Sequence, residues 1–214
     1  MSSDLTNEPS PQMLDRNWSE FVSACSACTR CGLAASRLNV VVWRGAVVAP
    51  LLIVGEDPGA SEDEQGLPFV GRSGELLDTA LTAHGLDPST YHICNIVKCR
   101  PPGNRQPTPE EAEACRPWLR RQLQYAGSRV VLLLGATALR YFTGETQGIT
   151  KVRGQWRESR GFWIMPSFHP AYLLRDRRQR EPFWQDLTAV RAKLEELGEL
   201  PPLPTGETPD AARF

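Results

Sequence analysis

The sequence predicts an α/β protein built on a parallel sheet with helices on both faces. Two observations carry this. The strand-like runs are continuously apolar, as strands buried on both faces must be, and helix-like segments separate them. Leu51-Leu-Ile-Val54 is the first such run, closed by Gly55. Ser73 can cap a helix whose apolar positions are Leu76, Leu77, Ala80 and Leu81, stopping at Gly85. Tyr91 to Val97 reads as the second strand. Thr108-Pro109-Glu110-Glu111 is a helix start, with a hydroxyl cap, proline at the first position and glutamate three residues after the cap. That helix extends to about Tyr125. Val130 to Leu134 is the third strand, followed by Gly135 and a short helix from Thr137 to Phe142. Phe162 to Met165 is the fourth strand, and Pro182 to Leu197 the last helix. Sheets of this kind bind ligands at the carboxyl ends of their strands. Gly55 to Gly59, Asn95 to Cys99 and Ser167 to Pro170 fall at such ends.

The 214 residues suit a single domain, expected over residues 13–199. Residues 1–12 and the proline-rich segment 200–214 have too little apolar surface to fold and are expected to be flexible tails. A hydrophobic content of 41% argues against global disorder. No apolar run reaches the ~20 residues of a membrane span. The polar stretch from Met1 to Pro11 lacks the apolar core of a secretory signal. A cytoplasmic, membrane-free protein is therefore expected, with a monomer as the default. The formal charge is −1, so any nucleic-acid binding would rest on local patches.

Six cysteines without a secretory signal point to metal or cluster ligation before disulfides. Cys25, Cys28 and Cys31 form a Cys-x2-Cys-x2-Cys run, while Cys99 and Cys115 stand apart. Four thiolates could hold a structural zinc or an iron–sulfur cluster. Zinc more often draws on two local pairs, so one local group plus two separated cysteines favours the cluster. Cys94, inside a strand, reads as a core thiol, and Cys25 is either a free thiol or an alternative to a neighbour.

Other residues carry chemical potential beside a plain structural reading. Glu56 and Asp57, at a strand end, can cap a helix, sit solvated or act as a general base. Phe69, in the loop Pro68-Phe-Val-Gly71, is either minor core or a stacking platform for a base. Asn95 is disfavoured in a strand; it is a turn former or an amide that reads a ligand edge. His84 and His92 read as structural, whereas His169, just past a strand end, is the better functional candidate. Basic residues cluster at Lys98, Arg100 and Arg105, and again at Arg175, Arg177, Arg178 and Arg180. Beside site loops, such clusters make phosphate contacts plausible.

Several stretches are distinctive when taken together. They are Gly55-Glu-Asp-Pro-Gly59, Glu62-Asp63, Gly66-Leu-Pro-Phe-Val-Gly71 and Leu76-Leu-Asp78. They continue through Asn95-Ile-Val-Lys-Cys-Arg-Pro-Pro-Gly-Asn-Arg105, Pro107 to Glu111, Ala114 to Pro117 and Leu134-Gly-Ala136. With Thr150 to Gly154 and Phe168-His-Pro-Ala-Tyr-Leu-Leu174 they resemble, in order across roughly residues 25–195, the family 4 uracil-DNA glycosylases. The resemblance implies a three-layer α/β/α fold with a central four-stranded parallel sheet. It also implies a [4Fe–4S] cluster on Cys28, Cys31, Cys99 and Cys115, with Cys25 surplus. The implied substrate is uracil-containing DNA, single- or double-stranded. In that pattern Gly55, Glu56 and Asp57 line the uracil pocket, Phe69 stacks on the base, Asn95 reads its edge and His169 donates to its O2. Lys98, Arg105, Tyr172, Leu173 and Arg175 would meet the DNA, with Tyr172 to Leu174 as the wedge.

One position departs from the family. Asp57 stands where most members have a small residue, and family 1 enzymes resemble this chain there in having an aspartate that positions water. Asp57 and His169 are thus the expected catalytic pair. Gly59 aligns with the tyrosine by which family 1 excludes thymine, which leaves Glu62 as the candidate for that task. Two other readings compete. One is a non-turnover or covalent uracil-DNA binder, which the missing loop histidine and Asp57 argue against. The other is an iron–sulfur electron carrier, which would leave Asn95, Phe69 and His169 without a purpose.

Overall fold

The computed structural model describes residues 18–203 and 214. Six strands form one sheet: β1 (Arg44–Gly45), β2 (Leu51–Gly55), β3 (Tyr91–Asn95), β4 (Val130–Leu134), β5 (Arg157–Ser159) and β6 (Phe162–Ser167). Their order is β1-β3-β2-β4-β6-β5. The inner four pair in parallel, as expected from the sequence. The short outer strands β1 and β5 pair antiparallel at the two edges and widen the expected sheet. Neither edge was legible, because a strand of two or three half-exposed residues has no apolar run to betray it.

Helices pack on both faces: α1 (Trp18–Ser26), α2 (Ala60–Gln65), α3 (Arg72–Ala83), α4 (Pro109–Ala126), α5 (Ala136–Thr143), α6 (Ile149–Val152), α7 (Pro170–Arg175) and α8 (Arg180–Glu196). The inner strands alternate their allegiance with period two. Leu51, Ile53, Val130, Leu132 and Leu134 join a core with α3, α7 and α8. Leu52, Val54, Val131 and Leu133 join a second core with α4 and α5. This two-sided burial is why the strands read as unbroken apolar runs. A third cluster sets Phe21 and Cys25 of α1 against Val42. Among the described residues no helix is long and apolar enough to cross a membrane.

Local signals place most elements correctly. Thr108 caps α4 in a reciprocal box, accepting from the Glu111 N–H at 3.2 Å while its own N–H donates to Glu111 Oε2 at 2.8 Å. The α3 cap is Gly71 rather than Ser73, so the helix starts earlier than the serine suggests. Strand β3 ends at Asn95, two residues short of the Val97 expected. Most of the segments read as tails, residues 1–12 and 204–213, lie outside the described residues. The described part of the second one packs: Arg191 donates to the Pro201 carbonyl at 2.6 Å, and the Phe214 ring stacks on Phe183 at 5.9 Å.

Candidate active site

The chain runs from β2 outward to β3, then crosses back to β4 on the other side. That reversal opens a crevice above the carboxyl end of β2. Gly55 ends this strand, and a Cβ there would strike Asn95 Oδ1 and lie 2.5 Å from Phe69 Cζ. Phe69 in turn stacks on His169, with centroids 5.6 Å apart and planes 28° apart. Gly135, after β4, backs the histidine, since a Cβ there would sit 3.2 Å from His169 Cβ. Four distant stretches thus bring Gly55, Phe69, Asn95 and His169 to one place. His84 and His92 stay structural: His84 Nδ1 bonds to the Ala80 carbonyl at 2.7 Å, and His92 Nδ1 to the Ala46 carbonyl at 2.9 Å.

Phe69 is held in a conformation that a bulky residue avoids, with φ at 56°. Two devices impose it. The buried Glu62 carboxylate accepts from the N–H groups of Gly59, Val70 and Gly71 at 3.1, 3.0 and 2.9 Å. Gly74 lies inside α3, where a Cβ would collide with the Phe69 carbonyl. Glu62 therefore braces the loop, and its carboxylate faces backbone donors, which gives no support to the thymine-excluding task. A glycine within a helix costs about 1 kcal/mol against alanine. That cost is the sequence signal for Gly74.

Asn95 is 2% exposed, yet its Oδ1 has no hydrogen-bond partner among the described residues. Leaving such an acceptor buried and unpaired costs about 1–3 kcal/mol. A ligand donor at this spot would recover it.

His169 caps α7, and its Nδ1 accepts the Ala171 N–H at 3.2 Å. Burial pulls the imidazole down to about 4, with Glu62 opposing and Arg175 adding to the shift. The ring is therefore neutral at pH 7. With Nδ1 occupied as an acceptor, the hydrogen-bond pattern assigns the proton to Nε2, which makes that atom a donor.

Two neighbouring carboxyls sit at the β2 end. Burial lifts Asp57 from 3.8 to about 7, helped by the charges of Glu56 and Glu62 and opposed by Arg105. Burial also raises Glu56, while a hydrogen bond from the Thr137 side chain lowers it. The His169 loop has its own brace. Asp186 of α8 is buried, accepts from Ser167 Oγ at 2.5 Å and pairs with Arg153. Asp186 was not singled out in the sequence, although an acid on the apolar face of a helix is a usable signal.

Of the residues expected to meet DNA, two are misplaced for that role. Lys98 is 1% exposed and donates from Nζ to the Asn95 carbonyl at 2.6 Å, so no phosphate can reach it. Leu173 is fully buried among the residues of the first core, because it lies on the inner face of α7. Arg175 is exposed at the end of α7 and Tyr172 is half-buried beside it. Arg105 forms a bidentate pair with Glu111 at 2.6 and 2.8 Å, which holds it at the head of α4 near Asp57.

A separate cavity between the end of α1 and the segment after it, the loop after β3 and α4 is lined by Cys25, Cys28, Cys31, Cys99 and Cys115, together with Arg30, Arg37 and Lys98. Arg37 reaches Cys99 Sγ at 3.5 Å, and the Trp118 indole N–H reaches Cys28 Sγ at 3.2 Å. Cys94 is a fully buried core thiol, as expected. Among the described residues, no group of three or more His, Cys, Asp or Glu side chains could hold a single metal ion.

Fold and side-chain placement together define an α/β protein with an aromatic ring, a buried amide and an imidazole gathered at the switch point of its sheet. A family model of the uracil DNA glycosylase superfamily matches residues 43–188. The type-4 uracil-DNA glycosylase of Thermotoga maritima is 48% identical over 154 residues, covering 70% of this chain and 79% of that protein. That of Pyrobaculum aerophilum is 40% identical over 168 residues, covering 75% and 86%. That of Archaeoglobus fulgidus is 35% identical over 179 residues, covering 80% and 90%. The chain belongs to the type-4 family of the uracil-DNA glycosylase superfamily.

Proposed function

We propose that this protein hydrolyses the N-glycosidic bond of deoxyuridine in DNA, releasing uracil and leaving an abasic site. The observation that carries this reading is the unpaired buried Oδ1 of Asn95. Uracil presents N3–H and O4 side by side, so Oδ1 can accept from the first and Nδ2 donate to the second. Cytosine reverses both polarities, and the buried amide would be left unpaired twice. The scissile bond is out of reach inside a duplex, so the nucleotide must be flipped into the pocket. Phe69, stacked on His169, then offers a face for the base.

Bond breaking puts negative charge on the uracil and positive charge on the sugar. The Nε2–H of neutral His169 donates to O2 as that charge grows. Asp57, once ionised, orients the attacking water and faces the sugar cation. Glu56, tied to Thr137, supports the same loop. Arg175, exposed on α7, and half-exposed Tyr172 would contact the DNA backbone, a role their exposure supports.

The cysteine cavity fits an iron–sulfur cluster. Its donors are thiols, no carboxylate is among its lining residues, and three cations surround it, which suits an anionic group. Cys28, Cys31, Cys99 and Cys115 would hold a [4Fe–4S] cluster. Such a group supplies a covalent cross-link between the segment after α1, the loop after β3 and helix α4.

Single-turnover excision with Asn95→Ala tests the reading. Loss of the edge contact should slow uracil release by roughly 10²-fold or more, without creating activity on cytosine. A rate within twofold of the parent protein would overturn the role of Asn95.

A further inference from the structure

Lys98 is the most deeply buried cation of the described residues, at 1% exposure. Neither the pocket chemistry nor DNA contact uses it. Its Nζ donates to the Asn95 carbonyl at 2.6 Å and hydrogen-bonds the Cys94 thiol. Among the described residues it makes no ion pair with a carboxylate. Moving an ammonium out of water into such a site is strongly unfavourable unless opposite charge lies close by. The other side of Lys98 lines the cysteine cavity, near Cys25 and Cys115. Four thiolates on a cluster would supply the missing negative charge there.

The backbone around it ties the two places together. The Ile96 N–H donates to the Gly55 carbonyl at 3.0 Å, and the Val97 N–H to the Glu56 carbonyl at 3.3 Å. Asn95, Ile96 and Val97 therefore form a short bridge between the uracil pocket on one side and Lys98 and Cys99 on the other.

We propose that Lys98 is a positioning residue that couples the cluster cavity to the uracil pocket. Held by the negative charge of the loaded cavity, its ammonium fixes the Asn95 carbonyl and thereby the side-chain amide that reads the base. This rests on the function proposed above, because it assigns Asn95 the recognition of uracil. The cluster then has a consequence beyond cross-linking. Its loss strands a buried cation beside the recognition residue.

The test combines Lys98→Met, which keeps the length and removes the charge, with removal of the cluster from the wild-type protein by oxidant and chelator. Hydrogen exchange at the Ile96 and Val97 amides is read by mass spectrometry on the peptide that holds them, with iron and sulfide content measured alongside. Excision of uracil is then followed under single-turnover conditions. Cluster removal should speed exchange of that peptide in the wild-type protein at least tenfold. In iron-loaded Lys98→Met the peptide should exchange as fast as in the stripped wild type, and stripping the variant should change it no further. Excision by the loaded variant should fall about 10- to 100-fold at saturating DNA, as a misplaced contact does, with KM within threefold.

Unchanged exchange after stripping the wild type would overturn the coupling, and that arm needs no variant. So would a loaded Lys98→Met that exchanges and excises like the parent. If the wild-type protein excises no uracil, the proposed function fails while the exchange data still decide the coupling.

Discussion

Replacing Asp57 by asparagine should raise stability and remove activity in the same variant. Burial lifts this carboxyl from 3.8 to about 7, with the Glu56 charge the next contributor. The folded chain therefore binds the Asp57 proton more tightly than the unfolded chain does. The stabilising contribution is complete below pH 4 and is lost as pH rises toward 7. A rise of about three units, at ~1.4 kcal/mol per unit, sets an upper bound near 4 kcal/mol for keeping the carboxylate ionised at pH 8. Solvent reaching the half-buried side chain reduces this, and about 1–3 kcal/mol is the working figure. Asparagine has the shape of the protonated acid and no charge to desolvate. Urea titrations should find Asp57→Asn more stable than the parent by that amount at pH 8, with the gap shrinking at pH 5 and closing only as pH falls below about 4. Single-turnover excision by the parent should climb with pH through about 7, as the carboxylate forms. The variant should be slower by about 10²-fold or more, with no such climb. Equal stability at pH 8 would refute the buried-charge argument, and an unchanged excision rate would refute the catalytic role.

Other consequences are simpler to read. Gly74→Ala places a methyl group against the Phe69 carbonyl. It should cut excision at least tenfold by moving the stacking ring, an effect visible in kcat with soluble, cluster-bearing protein. Cys115→Ser should abolish iron binding, whereas Cys25→Ser should keep it; iron and sulfide analysis separates the two. Leu173→Ala should cost about 2–4 kcal/mol of stability, as buried leucines do. Arg175→Ala should leave stability alone and flatten the salt dependence of DNA binding by about one phosphate contact. Melting curves and salt titrations would show whether these two neighbours divide their labour in this way.

The parallel sheet was legible because its inner strands are buried on both faces, which forces the apolar runs at Leu51, Val130 and Phe162. Helix α4 was legible because Thr108 and Glu111 cap each other with local chemistry. The short elements were not. Helix α2, Ala-Ser-Glu-Asp-Glu-Gln, has no apolar stripe. It exists because Glu62 binds three backbone donors brought to it by the fold. For the site, the family resemblance grouped Gly55, Phe69, Asn95 and His169, and the structure brings these four together. The resemblance could not say which way a side chain points. Lys98 sits in a basic cluster in the sequence, yet the turn after β3 directs it inward to the Asn95 carbonyl. Leu173 sits beside Tyr172 and Arg175, yet helical periodicity turns it into the core. Exposure is decided by tertiary packing, and a run of basic or apolar residues does not disclose it.

The most direct measurement is a cleavage assay on an end-labelled oligonucleotide carrying one uracil, treated with alkali after incubation with the cluster-bearing protein. A cut at the uracil position, accumulating past one equivalent of enzyme and absent from matched cytosine and thymine strands, is the expected result. An intact strand, or a cut that stops at one equivalent with the DNA retained, would contradict a glycosylase that turns over.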